Sequence, residues 1–345
     1  MSILVAILIF GLIVLIHEGG HFFFARINGI VVEEFAIGMG PKIIGKEYKG
    51  TLFSFRILPF GGFCKVLGED SAIEQEGSYS SKSVWAKMIM VFGGPLFNFI
   101  LALIFAFVLI SLSGIITTKV SDVVPDSPAQ LAGLQTGDTI VKINNKNIIA
   151  YKEILIYLNE RKGGLVDLTY KRDGVKKSIQ IQPNLDKESG SYKIGFYPET
   201  IADPNLIQTI EFSFREMALW VKLVPYGLSM LFNGSFSANE VSGPVGIVSA
   251  VSENYKESAQ YGFTSAVATI SFWVVLLSAN LGVMNLLPIP ALDGGRLVFL
   301  IIEAIRRKPM DQAKEGIIHF VGYVFLMLLM VLILFNDFKN IFTKG

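Results

Sequence analysis

Two histidines four residues apart, His17 and His21, enclose a glutamate at Glu18. On a helix, residues i and i+4 share a face, so both imidazoles can reach a single tetrahedral zinc. Glu18 then points beside the ion, where a general base must sit to take a proton from a water on the metal. The same spacing arises by chance in helices that bind nothing. What sets this instance apart is its surroundings, because residues 2–16 and 22–25 are almost purely apolar. Ionisable groups within a membrane span are costly and normally face a functional interior.

A third ligand is sought in the segment from Asn285 to Arg296, where Pro288 and Pro290 break a helix and Gly294 and Gly295 allow close backbone approach. Irregular backbone at membrane depth is tolerated only beside protein or a water cavity. Asp293 is the candidate, since two histidines and a carboxylate leave one position open for water. Its alternative role is an N-cap on a helix over 294–306, and both roles can coexist. Asn285 is placed to hydrogen-bond a substrate carbonyl or a developing oxyanion. Asn98, inside a second apolar stretch, either orients substrate or pairs with a neighbouring helix. His319 opens an apolar run and reads as an interfacial or packing residue.

The elements that carry these residues follow from periodicity. The first helix runs to Arg26 and places about fifteen residues before His17, a rise of roughly 22 Å, so the metal lies toward the far leaflet. Residues 31–37, 43–48 and 51–58 alternate, Lys49-Gly50 suggests a hairpin, and Pro59 to Val66 continues as an extended piece. A sheet edge there, with Gly61, Gly62 and Phe63 as substrate contacts, would suit an enzyme that holds a peptide extended; the plain alternative is an ordinary loop. Residues 70–83 read as a polar, mobile linker. A second span covers 84–113, where Gly93 and Gly94 allow close helix approach. Residues 205–236, with Trp220 and Tyr226, suit a helix lying on the membrane surface. Val241 to Ile247 reads as a membrane-edge or re-entrant loop, and further spans begin near Phe263 and cover about 317–335.

Hydrophobic residues make up 52% and charged residues 17%, which agrees with several lipid-dissolved segments. The net charge of +1 offers no footprint for nucleic acid, and the single cysteine, Cys64, excludes an intrachain disulfide framework and a cysteine zinc cage. Residues 116–199 change in character. Ser127-Pro128 opens a short helix ending at Gly133, and a Gly137-Asp138 turn starts a strand over 139–144. That pattern resembles a PDZ domain, which binds an extended peptide or a C-terminus or acts here as a size filter.

The fold expected is a polytopic α-helical membrane protein of about four transmembrane helices, with a membrane-associated β-hairpin and an inserted α+β PDZ-like domain. The divisions are 1–115 and 263–345 for the two halves of the core, 116–200 for the PDZ-like domain, and 201–262 for the interfacial helix and glycine-proline loop.

Together, His17 to His21, Phe92 to Asn98, one PDZ-like domain, Ser242 to Gly246 and Asn285 to Gly295 resemble the site-2 protease family of intramembrane zinc metalloproteases, in its bacterial branch with a single PDZ domain. The resemblance implies one zinc on His17, His21 and Asp293, with Glu18 as catalytic base and Asn285 on substrate. It implies hydrolysis within the transmembrane segment of a single-span protein already shortened by another protease, such as an anti-sigma factor, a signal-peptide remnant or a pheromone precursor. It also implies a bacterial cell membrane location. The basic residues Lys42, Lys46, Lys49, Arg56, Lys65 and Lys82, and Arg296, Arg306, Arg307 and Lys308, place both short loops in the cytoplasm by the positive-inside rule. The PDZ-like domain and both termini are then extracytoplasmic, with the metal nearer the cytoplasmic side. Two other classes compete less well: an ion-coupled transporter predicts an inverted repeat of spans, which the chain lacks, and a scaffold has no reason to keep Glu18 between two ligands.

Overall fold

The structure is a computed structural model that describes residues 2–69, 75–232, 243–308 and 310–344. The chain forms two units, Met1–Phe105 with Trp220–Gly345, and Ala106–Leu219.

In the first unit, α1 (Ser2–Ile27) buries Ala6, Ile9, Ile13, His17, Gly20, His21 and Ala25. These follow one another at helical spacing, so the two histidines continue an apolar stripe that faces the protein. Leu4, Leu8 and Phe23 lie outward and exposed, as lipid-facing residues must.

Two long strands follow, β1 (Val32–Tyr48) and β2 (Thr51–Val66), where the alternation suggests several short ones. Lys49 and Gly50 both have positive φ, the requirement of a tight hairpin turn. The length arises because each strand bends and is used twice. Residues 34–37 pair with 62–65 on one side and with 52–55 on the other, while 44–48 pair with 51–55. The segment 62–66 is therefore an edge, and among the described residues no further strand pairs with it. Residues 75–83 are not a loose linker: Val31 donates to the Gly77 carbonyl, Tyr79 to Leu67, and Tyr79 is buried with Ile30, Val66 and Met90. The first part of the expected linker, 70–74, lies outside the described residues.

α2 (Val84–Ser113) leads into the second unit. There β3 (Ile115–Val123), α3 (Pro128–Leu131), β4 (Thr139–Ile143), β5 (Lys146–Asn147), α4 (Tyr151–Glu160), β6 (Val166–Arg172), β7 (Val175–Ile181), β8 (Asn184–Asp186), β9 (Ser191–Lys193) and β10 (Phe196–Ile201) build a PDZ-like α+β domain. Its main sheet runs β10-β3-β4-β6-β7, with β5 paired to β4. Ile140, Ile143, Ile154, Tyr157, Leu158 and Leu168 form its core, and Ser127 caps α3 at the Gln130 N–H.

The chain continues through α5 (Leu206–Phe232), α6 (Pro244–Gln260), α7 (Phe263–Asn285), α8 (Asp293–Arg306) and α9 (Gln312–Lys344). Gly243 to Ile247 differ from the expected loop. Pro244 occupies the first turn of α6, and the buried Asp337 of α9 accepts the N–H groups of Gly243, Val245 and Gly246 at 2.8–3.1 Å. Proline needs no partner there, and a Cβ at Gly243 would meet Ile333 at 2.4 Å, which explains the residue types. Val241 and Ser242 lie outside the described residues, as do 233–236 of the expected surface helix.

Among the described residues, four helices are long and apolar enough to cross a membrane: Ser2–Ile27, Val84–Ser113, Phe263–Asn285 and Ala313–Lys339. α5 and α6 are not among them. Ala6, Ile9 and Ile13 of α1 pack with Leu101, Val251 and Val274, so helices α2, α6 and α7 surround the histidine helix.

Candidate metal centre

His17 and His21 sit at the crossing of α1 and α2, and glycine makes that crossing possible. A Cβ on Gly20 would lie 2.1 Å from the Gly93 carbonyl oxygen, and one on Gly94 would lie 2.4 Å from His21 Nε2 and 2.8 Å from His17 Cε1. The helices meet backbone to backbone, and the space this opens is filled by the imidazoles.

Asp293 reaches the same point from the start of α8. The turn before it is made by Leu292 N–H to the Ile289 carbonyl, while Gly294 and Gly295 lie too close to the Leu287 and Ile289 carbonyls to carry a side chain. Asp293 is the first residue of α8 and Leu292 its N-cap, so the carboxylate does not serve as the expected cap. It is turned toward the histidines instead.

His17 Nε2 lies 3.2 Å from His21 Nε2 and 3.2 Å from Asp293 Oδ2, and His21 Nε2 lies 3.5 Å from that oxygen. A tetrahedral ion with bonds of about 2.0–2.1 Å has ligand-to-ligand edges of about 3.3–3.4 Å, so the triangle has the right size for zinc. Asp293 Oδ2 is buried without a hydrogen bond. Among the described residues this is the cluster of three such groups able to hold a metal. Two neutral nitrogens and one carboxylate oxygen, with a face left open, fit zinc.

The outer contacts orient the rings. His21 Nδ1 lies 2.9 Å from the Met90 carbonyl, which accepts its N–H and leaves Nε2 free for a metal. His17 Nδ1 lies 3.0 Å from the Asn98 amide, whose backbone carbonyl accepts from Ser278. A metal at His17 Nε2 requires the proton on Nδ1, so the Asn98 oxygen must face it. Asn98 is fully buried, which removes it from the substrate contacts expected of it: it holds a ring.

A cavity of about 580 Å³ opens beside the cluster. Glu18, Asn285 and residues 61–65 line it with Asp293 and Arg296. The strand passes beside Glu18, where a Cβ at Gly62 would make ordinary contact with Glu18 Cγ at 3.6 Å, and the Asn285 amide lies 3.3 Å from His17 Nε2. Gly61, Gly62 and Phe63 thus belong to the cavity wall, whereas the hairpin stretch 52–58 does not line it. Burial pushes the Cys64 thiol up to about 12, helped by the charge of Glu18, so this cavity residue is no nucleophile at neutral pH. Arg296 pairs with Glu69 at the cavity wall. The Met90 carbonyl and the Glu69 pairing carry no signal in the sequence, since a backbone acceptor has no residue type and the partner is far along the chain.

Membrane-crossing helices around a buried His–His–Asp cluster, open to a cavity that carries a glutamate, have the make-up of a membrane-embedded metallopeptidase. The chain belongs to peptidase family M50, the site-2 protease family, whose model matches residues 5–329. A protein of Clostridium acetobutylicum named as a zinc metalloprotease is 38% identical, with 97% of each chain covered. The zinc metalloprotease RasP of Oceanobacillus iheyensis is 30% identical, with 99% of each chain covered. A solved PDZ domain of the SdrC-like protein from Listeria monocytogenes is 26% identical over 25% of this chain and 87% of that one, with a TM-score of 0.21. The protein is a zinc metalloprotease of the membrane.

Proposed function

We propose that the protein is an intramembrane endopeptidase that binds one zinc through His17, His21 and Asp293 and cuts the transmembrane segment of a single-span protein after a first cleavage elsewhere. The observation that carries the proposal is the convergence of the three ligand atoms with Glu18 on one wall of a cavity whose other wall is a strand edge. Zinc, when bound, supplies a Lewis acid that brings the pKa of a water toward neutrality and polarises a carbonyl. Glu18 takes the proton from the attacking water and returns it to the leaving amine. Asn285 donates its amide to the oxygen on which charge develops. His17 and His21 keep their orientation through Asn98 and the Met90 carbonyl. A helical substrate hides its carbonyls, so it must unwind, and the edge at 62–66 offers backbone partners to the extended form.

Anti-sigma factors, signal-peptide remnants and pheromone precursors are the substrate classes proposed, with a peptide or a C-terminus at the PDZ-like domain, or that domain excluding bulky chains. The divisions 1–115, 116–200, 201–262 and 263–345 are proposed as functional segments. The PDZ-like domain and both termini are assigned to the outside of a bacterial cell membrane, and the metal to its cytoplasmic side, on the basic residues of the two short loops.

The test compares wild type with Glu18→Gln on a model single-span substrate in liposomes, with zinc measured on both. The expected result is about one zinc per chain in each and a loss of cleavage of at least 10³-fold in the variant, in line with removal of a catalytic base. Retained cleavage by the variant overturns the role of Glu18, and absence of zinc from both overturns the ligand set.

A further inference from the structure

Ala291, two residues before Asp293, has φ +77°, a left-handed conformation that residues with a Cβ rarely adopt. Such a residue persists only where its surroundings over-determine it. Part of the restraint comes from the turn closed by Leu292 and Ile289, and the rest comes from α9. Ala291 N–H donates to His319 Nδ1 at 2.9 Å. One turn further on, a Cβ at Gly322 would lie 2.5–2.7 Å from Pro290, so α9 presses its bare backbone on the loop next to the point it hydrogen-bonds.

The imidazole is itself held. Its ring meets Phe299 of α8 edge-on, with centroids 5.4 Å apart. Accepting at Nδ1 requires a neutral ring with its proton on Nε2, and that nitrogen faces Glu315 Oε1 at 3.8 Å, one turn earlier on α9. Phe299 of α8 and Glu315 of α9 flank the ring, and the ring accepts the amide two residues from Asp293. Among the described histidines, His319 is the one outside the metal cluster.

We propose that His319 is a positioning residue of the metal centre: by accepting the Ala291 N–H it holds the Pro288–Leu292 turn in its left-handed form and so sets Asp293 on the two imidazoles. This rests on the assignment of Asp293 as a ligand. It gives the fourth membrane-crossing helix, which supplies no ligand, an indirect part in metal binding.

Zinc affinity of the full-length protein in detergent, measured by chelator competition, tests it. His319→Phe is expected to weaken zinc binding about 10-fold or more, the usual loss on removing a partner of a ligand. His319→Asn, whose amide oxygen falls near the place of Nδ1, should bind like wild type. With Ala291→Gly, where φ > 0 carries no steric penalty, the loss caused by His319→Phe should shrink. Wild-type affinity in His319→Phe, an equal loss in His319→Asn, or an equal loss with and without Ala291→Gly overturns the proposal. Asp293→Asn separates the two claims: if it leaves affinity unchanged, the ligand assignment itself fails, whereas a loss in Asp293→Asn with none in His319→Phe removes only the positioning role.

Discussion

Cys64 lines the cavity that holds Glu18, yet burial, with that neighbouring charge, pushes its thiol up to about 12. Native protein at pH 7 should therefore alkylate with iodoacetamide far more slowly than the unfolded chain, by about 10-fold or more, as read by mass spectrometry. Cys64→Ala should keep both zinc and cleavage. Residue types and spacing bring His17, Glu18, His21 and Asp293 forward as candidates, because metal ligation and proton transfer demand those side chains, and the structure brings the three candidate ligands together. Asn98 is ambiguous in the sequence for a physical reason: an amide states that it needs a partner, but only the packing of α2 on α1 decides that the partner is the His17 ring. His319 reads as a packing residue because its partner is a backbone N–H, which has no signature in the sequence.

At the level of elements, the crossing of α1 and α2 is a steric device. Gly94→Ala would put a methyl group 2.4 Å from His21 Nε2, so the ring or the helix must move. The expected outcome is loss of stable zinc binding with retained helical content, checked by metal analysis beside circular dichroism. Gly93 and Gly94 signal close approach, and that approach occurs, but what they approach is hidden until the helices are placed. The hairpin turn at Lys49-Gly50 is legible in the same local way. The strands are not: a bent strand that pairs on both sides keeps the alternation of short strands, so 34–37 and 62–65 give no sign of pairing with one another.

At the scale of the whole molecule, the PDZ-like unit carries a buried carboxylate paired with an arginine. In the PDZ-like unit, Asp138 is fully buried and takes two hydrogen bonds of 2.7 Å from Arg172. Burial by itself would raise its carboxyl, but the bonds from Arg172 and from the Gln135 N–H outweigh this and hold it below the usual carboxylate range. A carboxyl lowered on folding contributes stability in full above its unfolded value, about 3.9, and loses it as pH falls through that value toward the folded one. Asp138→Asn should lower the stability of the domain at pH 7, because Arg172 loses its charged partner. Denaturation followed at pH 7 and pH 3 should show the gap between variant and wild type shrinking in acid. The four spans and the inserted domain are legible from hydropathy and turn residues. Arg296 shows the limit of counting loop charges, since it lies in an ion pair with Glu69 at the cavity wall.

The strand edge at 62–66 has a consequence for the products. Strand pairing repeats every two residues, and five residues of edge hold only about 17 Å of guest chain. A guest shifted by one residue turns every side chain to the opposite face, whereas one shifted by two regains the same pairing at the same distance from Glu18. Where one substrate is cut at more than one bond, the fragments should therefore differ by even numbers of residues. Mass spectra of the released peptides would reveal that parity, and ladders in single-residue steps would show that the guest is not held as a strand.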